Sequence, residues 1–226
     1  MRRIIFSGWM GPNDMTEARA QALLSMVRNA GCPQMHLTMN TLTSWVDPQF
    51  PLHPLFNHLS AVHKCDYLRC YVLHVHGGGY ADVKPTSKNW HPFFDQLDKS
   101  ACYGVGYTEV HPQGVAAVGG DLEIEMRENY TRLIGLCAMI FRPRTEFTSL
   151  WYQKLIELIE SKADVLAQHP ARHPQDRLGA QFTDGSMSEY PFVWTGVGGD
   201  LFHPLVYQFR DQIAHADMAP SFENYR

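Results

Sequence analysis

The chain has 226 residues, 45% of them hydrophobic and 19% charged, with a formal net charge of −4. That length supports one large domain, or at most two small ones, around a substantial core. The composition excludes a disordered chain and a general nucleic-acid binder, leaving room only for a local basic pocket, and no segment approaches the roughly 18 uninterrupted apolar residues of a membrane span.

From the N-terminus, "RRIIF" (2–6) is an apolar run that stops at Ser7-Gly8 and reads as a buried first strand. Three apolar residues are too few for a signal-peptide core, so a cytoplasmic protein is expected. "DMTE" has capping-box spacing, with Asp14 as cap and Glu17 three residues on. The helix that follows ends at Gly31, a natural stop. "MHLTM" (35–39) alternates apolar and polar residues as a second strand does. Strand, helix and strand in under 40 residues is the signature of an α/β domain.

Residues 46–54 hold three prolines and read as a loop. A helix is expected from about His53 to His76, with a break near Lys64, burying Leu68, Tyr71, Val72 and Val75 on one face. Asp66 and Arg69, three residues apart, share another face, where they either pair or point together at a ligand. Gly77 to Gly79 end this helix and "YADV" forms a short third strand. "ACYGVGY" (101–107) and "RLIGLCAMIFRP" (132–143) read as buried strands. "VGGDLEIEM" between them is an edge strand or loop, on which Asp121, Glu123 and Glu125 share one face if extended. "TEFTSLWYQKLIELIESKADVLAQ" is an amphipathic helix, residues 169–185 are a polar loop, "YPFVWTGVGGDLFHPL" is aromatic and glycine-rich, and "VYQFRDQIAH" is a short helix or strand. With no repeat and no composition shift, one domain is expected.

Few motifs carry metal or nucleophile chemistry. The five cysteines (Cys32, Cys65, Cys70, Cys102, Cys137) contain no CxxC pair and read as reduced thiols. His74/His76 and His169/His173 lack a third ligand at motif spacing, so no metal site is expected from them. "HGGG" (76–79) matches an oxyanion-hole motif of lipases and esterases, but no serine lies in a Gly-x-Ser-x-Gly elbow. The glycines therefore read as a helix stop that allows positive φ.

The stretch "CDYLRCYVLHVHGGGYADVKP" (65–85) explains more residues. Asp66, Leu68, Arg69, Leu73, Gly77, Gly78, Tyr80 and Asp82 fall in the register of a segment shared by nucleotide-sugar glycosyltransferases of the GT-A fold. The chain resembles the "DXD" sugar-transferase branch of that group, related to initiating mannosyltransferases, capsular polysaccharide synthesis proteins and clostridial glucosylating toxins. "RRIIFSGWMG" is similar to the start of that family. The resemblance covers about the first 85 residues.

The resemblance implies an α/β, Rossmann-like domain with a mostly parallel sheet flanked by helices. Its donor-binding half would span about 1–100, with the acceptor side and a closing loop over about 101–226. It implies a nucleoside-diphosphate-sugar donor, UDP-sugar favoured, and a glycan hydroxyl as acceptor, without nucleic acid. Ser7, Gly8 and Trp9 would hold the base and ribose. Asp66 and Arg69 would bind donor-sugar hydroxyls, Tyr80 would lie near sugar or phosphate, and Asp82 and Val83 would line the donor. Trp194, Asp200 and His203 are candidates for a loop closing over the diphosphate. The departure is Lys84, which stands where relatives carry the second aspartate, a ligand for Mn2+ or Mg2+. A charged lysine is no metal ligand, but its ammonium supplies positive charge beside phosphates. Taken with the resemblance, this implies a metal-independent or weakly metal-dependent transferase, with Mn2+ or Mg2+ left open as in the family, and with Asp82, Lys84 and Arg69 as its catalytic residues.

Overall fold

A computed structural model describes residues 1–223. Its elements in chain order are β1 (Ile5–Trp9), α1 (Glu17–Asn29), β2 (Gln34–Thr38), α2 (Ala61–Val75), β3 (Gly78–Ala81), α3 (His91–Asp98), β4 (Gly104–Thr108), α4 (Gly120–Glu128), β5 (Ile134–Phe141), α5 (Glu146–Ser161), α6 (Ala163–Gln168), α7 (Gly199–Gln208) and β6 (Ile213–His215). The strands form one six-stranded sheet in the order β2-β1-β3-β5-β4-β6. β1 pairs parallel with both β2 and β3, and β4 pairs parallel with β6. β5 runs antiparallel between β3 and β4, so it alone opposes the common direction.

Side-chain alternation along the strands divides the core into two layers. On one face Ile5, Ala81, Ala138 and Ile140 pack under Met26 of α1 and Phe94 and Leu97 of α3. On the other, Phe6, Tyr80, Met139 and Phe141 pack against Leu68 and Val72 of α2, Trp151 and Leu155 of α5, and Phe202 of α7. The result is a mixed α/β sheet flanked by helices, as the sequence predicts. Chain direction reverses at β1: one connection leads outward to β2, and the next returns over β1 to β3. The carboxyl ends of β1 and β3 therefore mark the topological switch point, the place where open α/β sheets bind ligands.

Several boundaries differ from the sequence reading for identifiable reasons. β1 runs through Ser7-Gly8, where pairing with β2 outweighs the turn signal. The cap of α1 is Thr16, whose hydroxyl accepts from the Arg19 N–H at 3.3 Å, rather than Asp14. Gly31 does stop that helix, at φ +70. The long helix predicted from His53 divides into a proline-led 3-10 turn (Pro54–His58) and α2, whose cap is Ser60. α2 is buried on nearly every side because sheet, α5 and a C-terminal loop all enclose it. Gly77 and Gly78, at φ +66 and +97, make the sharp exit from α2, and Gly78-Gly79 already belong to β3. "DLEIE" is helical, not extended: Glu123 pairs with Arg127 one turn on at 2.8 Å and accepts from the Gly119 N–H at 2.8 Å. Asp121, Glu123 and Glu125 accordingly do not share a strand face. The amphipathic run after Thr145 breaks at Lys162 into α5 and α6.

Candidate functional site

Four charged side chains meet at the carboxyl end of β3. Asp66 and Arg69 arrive one turn apart on α2, and Asp82 and Lys84 follow directly after β3. Arg69 bridges the two carboxylates, donating to Asp66 Oδ1 at 2.6 Å and to Asp82 Oδ1 at 2.8 Å. Its guanidinium lies 4.8 Å from the centre of the Tyr80 ring, a cation–π contact. Lys84 takes the other oxygen of Asp82 at 3.2 Å and also reaches Cys137 Sγ on β5 at 2.6 Å. Arg69, Lys84 and Asp66 side chains are only 6%, 10% and 13% exposed, whereas Asp82 retains 26%. The open side of the cluster is thus its aspartate.

Formal charges cancel: two carboxylates face two cations. Burial alone would push Asp82 up, but Arg69 and Lys84 together hold its carboxyl down at about 2. Asp66 moves the other way: burial raises it, and Arg69 only partly compensates. Burial would lower Lys84, yet Asp82 and Cys137 keep its ammonium above the ordinary lysine value. Such a cluster is costly unless every charge is paired, and here each one has an opposite partner, with Arg69 Nε alone left without a hydrogen-bond partner among the cluster's described atoms.

Around it stand the other predicted residues. Val83 is buried, and its carbonyl accepts from Arg19 at 2.6 Å. Ser7 is fully buried, its hydroxyl 2.9 Å from His36 Nδ1 on β2. Gly8 backs onto α2, where an added Cβ would lie 2.9 Å from Leu68. Trp9 is half-buried at the end of β1, and its indole N–H donates to the Asn13 carbonyl at 2.7 Å. Trp9 and Asp82 thus stand at the ends of adjacent strands, while Ser7 turns toward β2.

The loop at 190–198 folds over α2. Buried His63 fixes it: Nδ1 accepts from the Tyr190 hydroxyl at 2.8 Å, and Nε2 donates toward the carbonyls of Val193 and Trp194 at 3.1 and 3.2 Å. Gly198 then sits directly on Asp66; a Cβ there would be 2.8 Å from the carboxyl carbon, so only glycine fits. Trp194 is 46% exposed, with Arg177 5.6 Å over its ring. Asp200 is half-buried at the start of α7, and burial raises its carboxyl. His203 lies apart from the cluster. It is buried, accepts the Ala116 N–H at 3.0 Å, and faces Glu109 at 3.6 Å. Burial lowers it to about 4, so it is a neutral imidazole rather than half of an ion pair.

The structure therefore joins Asp66, Arg69, Tyr80, Asp82 and Lys84, and shows no hydrogen bond or ion pair from Trp194, Asp200 or His203 side chains to them among the described residues. Sequence reasoning missed Cys137, His63, Gly198 and Glu109. Glu109 had a signal available, because it is the carboxylate immediately after the strand "CYGVGYT" and hence at the ligand-binding edge. Burial raises its carboxyl as well. The others depend on contacts between elements distant in sequence and leave no local mark.

No protein-family model and no curated protein sequence matches the chain. Among solved structures, the glycosyltransferase GlyE of Streptococcus pneumoniae TIGR4 is similar at a TM-score of 0.35 and 11% identity, over 96% of this chain and 46% of that one. The chain thus spans about half the length of that neighbour. A likeness at this level does not bear on the site, which rests on its own geometry. Among the described residues no helix is long and apolar enough to cross a membrane.

Proposed function

We propose that this chain is a glycosyltransferase of the GT-A type, moving a sugar from a nucleoside-diphosphate donor, UDP-sugar favoured, to a hydroxyl of a glycan acceptor. One observation carries the reading. Asp66, Arg69, Tyr80 and Asp82, among the residues matched by the resemblance, come from a helix and from β3 and its exit yet meet at the carboxyl end of the sheet beside its topological switch point. In this reading Asp66 and Asp82 accept donor hydroxyls, Trp9 borders the nucleotide, and the loop at 190–198 covers the donor from the α2 side. Lys84 exchanges Asp82 for the diphosphate and stabilises the charge that develops on the leaving group. Fixed juxtaposition of donor and acceptor supplies the rest. The first hundred residues would form the donor half and the remainder the acceptor side.

The side chains do not fit the divalent cation that relatives use. Both oxygens of Asp82 are held by cations, and the next position that would supply a carboxylate is Lys84. A hard cation needs several oxygen ligands, so the reaction is read here without one.

The test is release of nucleoside diphosphate from a panel of UDP- and GDP-sugars in EDTA. Release from one donor supports the transferase. Binding without release supports the second reading, a nucleotide-sugar-binding protein that lost catalysis with the second aspartate. Absence of binding to any donor, with or without Mn2+, removes both. A serine-directed fluorophosphonate is expected to label nothing, since no elbow serine accompanies the HGGG turn.

A further inference from the structure

We propose that Lys84 and Cys137 are a covalent modification site: peroxide joins them through a single oxygen atom into a nitrogen–oxygen–sulfur bridge. The first observation is distance. Lys84 Nζ lies 2.6 Å from Cys137 Sγ, closer than the 2.7–3.2 Å of ordinary N–H···O bonds although sulfur is the larger atom. One oxygen bonded to both atoms spans that gap without moving either residue.

The second observation is that backbone, not side-chain chance, fixes the pair. The Cys137 carbonyl accepts the Asp82 N–H at 2.8 Å, and the Lys84 N–H donates to the Asp82 carbonyl at 2.7 Å. The Cys137 N–H reaches the Tyr107 hydroxyl at 3.3 Å. Lys84 and Cys137 are thereby tied to the same residue, Asp82, and to each other. Access is the third. Cys137 is partly exposed, as are Cys102 and Cys65, the last with its thiol turned to the Gly8 carbonyl, while Cys32 and Cys70 are buried. A small cleft lined by Ala81, Asp82, Lys84, Trp90, Ala138 and Met218 lies beside the lysine and next to Cys137's neighbour in β5.

The chemistry balances with hydrogen peroxide as oxidant. Cys–SH, Lys–NH2 and two H2O2 give Cys–S–O–NH–Lys and three H2O. One S–H and one N–H bond break, and S–O and O–N bonds form. Sulfur and nitrogen each lose two electrons, and each peroxide gains two. The third proton of the ammonium passes to solvent. A dithiol reverses the reaction, two equivalents returning thiol, amine and one water. Burial and Asp82 hold the Cys137 thiol up at about 11, against the pull of Lys84, and Lys84 is itself held protonated. Both protons must leave, so bridging accelerates as pH rises. The bridged nitrogen is no longer a cation. If Lys84 serves the donor diphosphate, as proposed above, bridging switches off donor binding.

The experiment treats the purified full chain with peroxide and reads intact mass, then maps peptides. The expected result is a gain of about 14 Da, one oxygen added and two hydrogens lost. Peptides containing Lys84 and Cys137 should be joined, and dithiothreitol should separate them. Cys137→Ser and Lys84→Arg, each checked for folding by circular dichroism, should both abolish the joined peptide. A gain of about 16 or 32 Da on Cys137 with Lys84 free would overturn the proposal, as would a disulfide to another cysteine or a direct S–N bond. Donor titration of the bridged protein separates this inference from the functional one. An affinity loss of about tenfold or more supports both. A bridge that leaves donor binding unchanged keeps the bridge and removes Lys84 from the donor site. Intact donor binding with no bridge removes the bridge alone.

Discussion

At the carboxyl edge of the sheet, two buried polar groups are assembled to different degrees. In the Asp66–Arg69–Asp82–Lys84 cluster each charge has an opposite charge within 3.2 Å, and the charges cancel. At the end of β4, Glu109 and His203 stand 3.6 Å apart, the imidazole is neutral, and its Nε2 lacks a hydrogen-bond partner among the described residues. The first group is held together by mutual attraction in a weakly screened setting. The second is held by the packing of α7 and by the backbone of Ala116. Removing one member of each should therefore have unequal consequences.

The largest effect is expected for Arg69→Met. It leaves two buried carboxylates facing each other, a loss of about 3–5 kcal/mol by the usual cost of breaking a buried pair. Urea unfolding measures it, and a loss below about 1 kcal/mol would show the cluster to be solvated. Acid should next distinguish the groups. His203 has a folded value depressed from 6.5 to about 4, so the unfolded state binds its proton first. Stability then falls as pH drops from about 6.5 toward 4, by up to about 3 kcal/mol. Asp82 is depressed from 3.8 to about 2, so its contribution of roughly 2 kcal/mol, present above pH 4, is lost below that. Asp66 and Glu109 are raised and partly oppose both losses. His203→Gln should flatten the upper window and leave the lower one intact, as read from thermal midpoints across pH.

Lys84→Met comes third, at about 1–3 kcal/mol, because Arg69 still pairs Asp82. The smallest effect belongs to Glu109→Gln. Burial disfavours its charge, and an amide keeps the bond to the Val110 N–H at 2.8 Å. A change under about 1 kcal/mol is expected, in the stabilising direction near neutral pH. A large loss would mean that Glu109 and His203 form a working ion pair after all.

The same contrast marks what the sequence discloses. The charge cluster was legible because its members sit at fixed offsets around a glycine exit: Asp66 to Arg69 on one helix face, Asp82 to Lys84 past a short strand. The α/β class followed from strand and helix periods in the first 40 residues, whereas the strand order did not. What eluded the sequence was set by tertiary context. Leu122 and Ile124 alternate with acids as strand residues do, yet they are 40% and 57% exposed on a helix anchored by buried Met126. Thr16 outcompeted Asp14 as a cap by its place at the first turn. Cys137 and Gly198 lie dozens of residues from their partners, and nothing adjacent in the chain reports a thiol behind Lys84 or a backbone pressed onto Asp66.

The central claim is that this cluster receives a nucleotide sugar with an ammonium in the place of a metal. Calorimetric titration with UDP- and GDP-sugars, in EDTA and in Mn2+, on the native chain and on Lys84→Gln, tests it most directly. The account predicts saturable binding of one donor in EDTA and its loss in the variant. Binding that requires Mn2+, or that survives removal of the lysine unchanged, would contradict it.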